Sequence, residues 1–448
     1  MKLTAIAIAL GMATVSFAHA DMNSQLSSLQ AQVNQLQSQV SSMNSSSSGS
    51  SMAGVVGLNS DLSMQMMDNQ TGVGKELNLL TARQNGMNQM LTLGGYAQAD
   101  GVFDDSNTRG AFINPGIAET GATSSSATRL FSTNASLSAT AAMGSWVTGY
   151  MQVGQSNIGD ASSNGMGVQD AYLVFGNLAQ MPVYGFVGDK DIDFGSFATV
   201  DIYNQPLTRT LFQAHGNTAG VGVNAYGFNG TVSVMNGGNQ TSTVSTGSNV
   251  QLQNLNTDSN SSINNFAVNL AYGMTNGAIS WNVGAGYLNG SAYLNNSNPN
   301  ATNGAWDLNG KVSAYGFDLL GEYVTTVDDT AASAVPGASA QKASAWDVGA
   351  DYNFPVMGYK SVVNVDYSGA SLGGDNNGKG NQYLIGYRVE AVKNVWAGLE
   401  YAYTTGLANY GALVSTAATN ASSGASVANQ SFNNVHNNTV ALDITAAF

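Results

Sequence analysis

The chain has 448 residues, only 9% of them charged, and its 27 Asp and Glu against 13 Lys and Arg give a formal net charge of −14. Without clustered cations it lacks what phosphate binding requires, which excludes a nucleic-acid partner. Cysteine is absent, which excludes disulfides, zinc–thiolate sites and thiol nucleophiles.

Residues 1–20, MKLTAIAIALGMATVSFAHA, predict a signal peptide. Lys2 supplies the positive start, an apolar core too short to span a membrane follows, and Ala18-His19-Ala20 is an A-x-A cleavage site. Residues 21–43 predict a short coiled coil. Leu26, Val33 and Val40 fall at a, and Leu29 and Leu36 at d, a heptad seam flanked by uncharged Gln that favours self-association. Residues 44–90 begin as a Ser/Gly linker and turn partly helical, above all at KELNLLTARQ, residues 75–84.

From residue 91 to 448 the pattern is that of strands. In NNTVALDITAAF, residues 437–448, Val440, Leu442, Ile444 and Ala446 alternate with Thr439, Ala441, Asp443 and Thr445. VWAGLEYAY (395–403), YLIGYRVEA (383–391), WDVGADY (346–352) and ISWNVGAGY (279–287) repeat the alternation. Apolar on one face and polar on the other, such strands suit a barrel with lipid outside and water within. Sixteen are expected, starting near residues 91, 127, 145, 167, 183, 217, 230, 263, 277, 304, 316, 343, 358, 381, 394 and 437. Short turns alternate with long polar loops, as periplasmic and external connections do in outer-membrane barrels. The expected fold is therefore an all-β, sixteen-stranded antiparallel outer-membrane barrel behind a periplasmic coiled coil, wide enough for an aqueous lumen.

Such a barrel turns Asp100, Asp170, Asp307, Lys311, Glu322, Asp347, Asp351, Arg388, Glu390 and Glu400 inward. The stretch VGDKDIDFG, residues 187–195, spaces Asp189, Asp191 and Asp193 like a cation loop. Calcium-loop spacing fails, however: counted from Asp189, position six is Phe194 and position twelve Val200, where Gly and Glu are required. The alternative is a cluster facing the pore, in which the third external loop (191–216) brings Asp191, Asp193, Asp201, Arg209 and His215 inward beside Asp189. No metal or cofactor is expected. Catalysis is not expected either: His215 and His436 fall in separate external loops and no G-x-S-x-G motif is present.

A terminal strand ending on Phe448 resembles those of bacterial outer-membrane barrels, which implies an assembly signal read by the barrel-assembly machinery. The order of parts, with Val187-Gly188, Phe194-Gly195-Ser196-Phe197 and Pro206-Leu207-Thr208, resembles the LbtU-type siderophore porins. Asp189 and Asp193 stand where that pattern has Lys and Pro. The resemblance implies passage of a ferric siderophore without a TonB-type plug. Trimeric DcaP-like porins with an N-terminal coiled coil, which pass dicarboxylates, are the second likeness, and a trimer is the expected assembly. A net acidic lumen predicts cation preference. A structural or adhesive protein with a blocked lumen is the competing expectation.

Overall fold

The structure is a computed structural model that describes residues 56–67, 74–87, 90–106, 126–158, 167–236, 253–254, 263–291, 293, 302–329, 341–371, 379–406 and 436–448. The expected signal peptide, coiled coil and Ser/Gly linker lie outside the described residues. Residues Gly57–Phe448 form one compact unit.

Besides the short Val56–Leu58 and Gln253–Asn254, sixteen long strands follow one another among the described residues: β1 Leu91–Ser106, β2 Ser126–Met143, β3 Val147–Ile158, β4 Gly167–Gly176, β5 Val183–Asp191, β6 Ala214–Ala225, β7 Phe228–Asn236 and β8 Ile263–Asn276, then β9 Ile279–Leu288, β10 Ala305–Ala314, β11 Phe317–Thr326, β12 Ser344–Val356, β13 Tyr359–Ser371, β14 Lys379–Val392, β15 Val395–Thr405 and β16 His436–Ala447. Each pairs antiparallel with its sequence neighbours. β16 pairs with β1, with Asp443 opposite Asp100 and Ala446 opposite Ala97, so the sheet closes into a barrel without a free edge. Every strand begins within three residues of the sequence-derived position.

The alternation does what period-two patterning requires. Leu137, Leu270, Val283, Leu319, Ile385 and Leu442 are exposed on the outer wall, where only lipid makes so large an apolar surface favourable. No helix among the described residues is long and apolar enough to cross a membrane.

Short turns join the strands at one rim. Tyr226-Gly227, Tyr315-Gly316 and Met357-Gly358 have positive φ at both positions, the two-residue geometry whose twist matches a hairpin. The chain terminus closes the seam at the same rim. Phe448 N–H donates to Gly95 O and Gly95 N–H to Phe448 O, both at 3.0 Å. A Cβ on Gly95 would lie 2.1 Å from the Phe448 ring, so only glycine leaves that ring its place.

Two segments fill much of the lumen. Helices α1 (Ser60–Met67) and α2 (Lys75–Gln84) precede β1. They insert as a hairpin from the short-turn rim, burying Leu62, Met66, Leu79, Leu80 and Met87 against Tyr96, Tyr150, Tyr172, Tyr184 and Phe186 of the inner wall. The third loop, with helix α3 (Leu207–Phe212), packs Ile192, Phe194, Phe197, Leu211 and Phe212 onto Ala267, Leu288, Ala305, Val324 and Ala345 across the barrel. Small wall residues there make room for large loop residues.

Candidate channel constriction and hairpin latch

The inner wall holds the third loop with carboxylates. Glu322 on β11 accepts from the backbone N–H of Ser196 and Phe197, each at 2.9 Å. Glu400 on β15 accepts from Ile202 (2.8 Å), Tyr203 (3.0 Å) and Asn204 (2.9 Å) backbone N–H groups and from the Asn204 side-chain amide. Asp347 accepts from the Thr208 hydroxyl. A loop running through the lumen has backbone donors that no strand can satisfy, and carboxyl oxygens fixed on the wall supply the acceptors. Within the loop, Asp201 is buried and accepts from Thr199 Oγ1 at 2.9 Å and from Asn364 Nδ2 at 3.3 Å. Burial, then the carboxylates of Asp366 and Glu400, push its pKa well above the ordinary range. Arg209 Nη1 donates to Phe197 O at 3.2 Å, tying the start of the loop to α3.

The opposite wall holds the hairpin through two buried lysines exchanged between hairpin and barrel. Lys75 of α2 lies 3.0 Å from Asp170 Oδ2 on β4 and 3.1 Å from Asp191 Oδ2 at the end of β5. Lys190 of β5 reaches back 3.1 Å to Glu76 Oε2 of α2 and 2.7 Å to Asp193 Oδ1 of the loop. Burial alone would lower the pKa of Lys75; the carboxylates of Asp170 and Asp191 outweigh it and raise it above the ordinary lysine range. Burial, then the neighbouring Glu76, lifts Asp193 to about 7 despite Lys190. At the far end of α2, Arg83 donates to the carbonyls of Val147 and Gly144 and to Thr148 Oγ1. The helix is thus fixed at both ends.

The acids of VGDKDIDFG do not surround one point. Asp189, the most open, faces His215 Nε2 at 3.3 Å. Asp191 faces His215 Nδ1 at 3.1 Å as well as Lys75, and Asp193 faces Lys190. Asp170, Asp191 and His215 do bring one ligand atom each within 4.8 Å of one another, and the Lys75 ammonium sits against both carboxylates of that group. Asp100 accepts from Gln98 Nε2 at 3.4 Å and is buried on β1. Asp307 accepts from Asn309 Nδ2 at 2.6 Å, buried beneath the loop.

The wall left uncovered is the short-turn half of β8–β14. Lys311 pairs with Asp318 at 2.8 Å, and Asp351 accepts from Asn353 Nδ2 at 2.7 Å. The Arg388 guanidinium lies 4.8 Å from the Trp396 ring, and Glu390 pairs with Lys360 at 3.1 Å. A cleft of about 560 Å³ opens there, lined by Gly273, Ser280, Asn282, Lys311 and Ser313 among others. Of the ten strand charges singled out in the sequence, Lys311, Asp351, Arg388 and Glu390 are partly exposed, and the other six are buried.

Of the residues in this latch, Lys75, Glu76 and Lys190 were not among those singled out in the sequence, whereas Asp170, Asp191 and Asp193 were. The latch's signal was present in VYGFVGDKD: Tyr184 and Phe186 share the inward face, while Val183 and Val187 face out. A strand apolar on both faces is covered on both.

No protein-family model matches the chain, and no curated protein matches its sequence. Solved structures do match in fold. The chain is similar to the anion-selective porin of Comamonas acidovorans at 13% identity and a TM-score of 0.50, covering 80% of this chain and 99% of that one. It is similar to OprB of Pseudomonas putida at 11% identity and a TM-score of 0.50, covering 79% and 94%. The fold is the porin barrel. Its apolar outer belt is the surface of a barrel that faces lipid.

Proposed function

We propose that the protein is an outer-membrane channel for small hydrophilic solutes, narrowed by the third loop on one wall and the helical hairpin on the other. The observation that carries this reading is the anchoring of the loop by Glu322 and Glu400 inside a sixteen-stranded barrel. Packed this way, the loop sets the width of the passage. Uncovered charges of both signs line that passage, and the formal net charge of −14 disfavours anions overall. Neutral and cationic solutes are therefore the first class.

A ferric siderophore is the finer reading, supported by the resemblance in part order and in the loop motif. A trimer is the assembly proposed, by analogy with porin packing. A second reading, a structural or adhesive barrel, is favoured by the hairpin filling the lumen along β1–β5.

Single-channel recording of the purified protein in a planar bilayer, under a salt gradient, separates these. Stepwise conductance with a cation-selective reversal potential is the expected result. Block by a ferric siderophore and not by the iron-free ligand would establish the finer reading. Silent, folded insertions would overturn the channel and leave the structural barrel.

A further inference from the structure

Two carboxylates and two aromatic rings meet at the head of α2. Asp170 and Asp191 both approach the Lys75 ammonium, at 3.0 and 3.1 Å. The rings of Tyr150 and Tyr172 stand 5.4 Å apart on the same stretch of inner wall. The Tyr172 hydroxyl is buried and has no hydrogen-bond partner among the described residues; on β4 it shares the inward face with Asp170, two positions away. An ammonium carries three donors, and an unpartnered hydroxyl oxygen beside two carboxylates is an acceptor set suited to one.

The two latch lysines differ in access. The Lys190 side chain is 1% exposed, whereas Lys75 keeps 14%. Lys190 lies deep between Glu76 and Asp193, while part of the Lys75 side chain stays open to solvent. Were Lys75 withdrawn, Asp170 would be a buried carboxylate without its ammonium, and Asp191 would be left with the His215 imidazole at 3.1 Å, a costly arrangement that a small cation of the right shape relieves.

We propose that Asp170, Asp191 and Tyr172 form a binding site for the primary ammonium group of a small solute, with Lys75 as its tethered occupant. The inference rests on the channel reading for where the solute comes from. A solute amine competes with Lys75 for the two carboxylates, and its binding unlatches α2 from the wall. Directional N–H donors are what the site reads, so an ammonium without them is refused.

Calorimetric titration of the purified protein with 1,5-diaminopentane tests this. Lys75→Met removes the internal competitor and is expected to bind the diamine at least roughly tenfold tighter than the wild type, the scale of one charge-assisted hydrogen bond. Adding Asp170→Asn or Asp191→Asn to that variant should abolish the gain, and tetramethylammonium should bind neither protein. Because the chain has no cysteine, Lys75→Cys can be alkylated cleanly with 2-bromoethylamine, which restores an ammonium of similar reach. Binding should be tight before alkylation and weak after it, whether or not the methionine variant folds. Equal affinities before and after would overturn the proposal, as would capture of Zn²⁺ in place of the diamine. Conductance recorded on the same preparations separates the two readings. Silent channels with the expected binding pattern would refute the channel and keep the ammonium site; conducting channels without that pattern would do the reverse.

Discussion

Glu400 on the barrel wall and Asn204 in the third loop are joined twice, through the Asn204 backbone N–H at 2.9 Å and its side-chain amide at 2.8 Å, both to Glu400 Oε1. With Ile202 and Tyr203 bonded to the other oxygen, one carboxylate holds three consecutive loop residues. Each such hydrogen bond contributes on the order of 1 kcal/mol net. Glu400→Ala is expected to free this part of the loop and raise single-channel conductance, while the closed sheet keeps its heat-resistant migration on gels. Unchanged conductance in a folded variant would show that the loop does not set the passage.

Leu79 and Leu80 seat α2 against the inner wall, both buried. Leu79→Ala should cost about 2–5 kcal/mol of hairpin docking and expose α2 to trypsin, which cuts after Lys75 and Arg83. The readout is the rate of cleavage within residues 75–84, with the barrel itself resistant. Equal cleavage in variant and wild type would argue against a docked hairpin.

Asp193 shares Lys190 with Glu76, near Tyr184 on the wall. Burial and Glu76 raise its pKa to about 7 in the docked state, against roughly 3.9 when free. A raised carboxyl pKa means the docked form holds a proton that the undocked form releases. Its contribution to docking is therefore full below about pH 4 and is lost as pH rises through about 7. Trypsin cleavage of α2 should accelerate between pH 5 and 8 after correction for the enzyme's own profile, and Asp193→Asn should flatten that rise.

Gly95 leaves room for the Phe448 ring at the seam between β16 and β1. Gly95→Val places a branched side chain where the ring lies and should lower the temperature at which the barrel loses its heat-modifiable migration. Phe448→Ala in the same background should recover part of the loss, since the clash is with the ring.

Much of the barrel could be read from the sequence because a strand's period of two writes the lipid face directly. Leu442 and Ile444 against Asp443 and Thr445 needed no partner to be interpreted. The inward charges followed from the same alternation. What was not legible is how those charges are used. Glu322 and Glu400 look like lining residues until the loop's backbone donors are placed beside them, and that pairing spans 126 and 196 positions of chain. The helical period of KELNLLTARQ was plain, but its destination depended on Tyr150, Tyr172 and Tyr184, inward aromatics scattered over three strands.

The seam and the hairpin meet at one atom. Ser63 Oγ of α1 donates to Phe448 O at 2.9 Å, the same carbonyl that accepts from Gly95 N–H, and a Cβ on Gly94 would fall 1.9 Å from that hydroxyl. The seat for α1 is made by the first strand and the last together, so it does not exist until they have joined. Assembly is thereby ordered in time: α1 finds its final place only after β16 has met β1, and a seated hairpin is a record that the circle was completed.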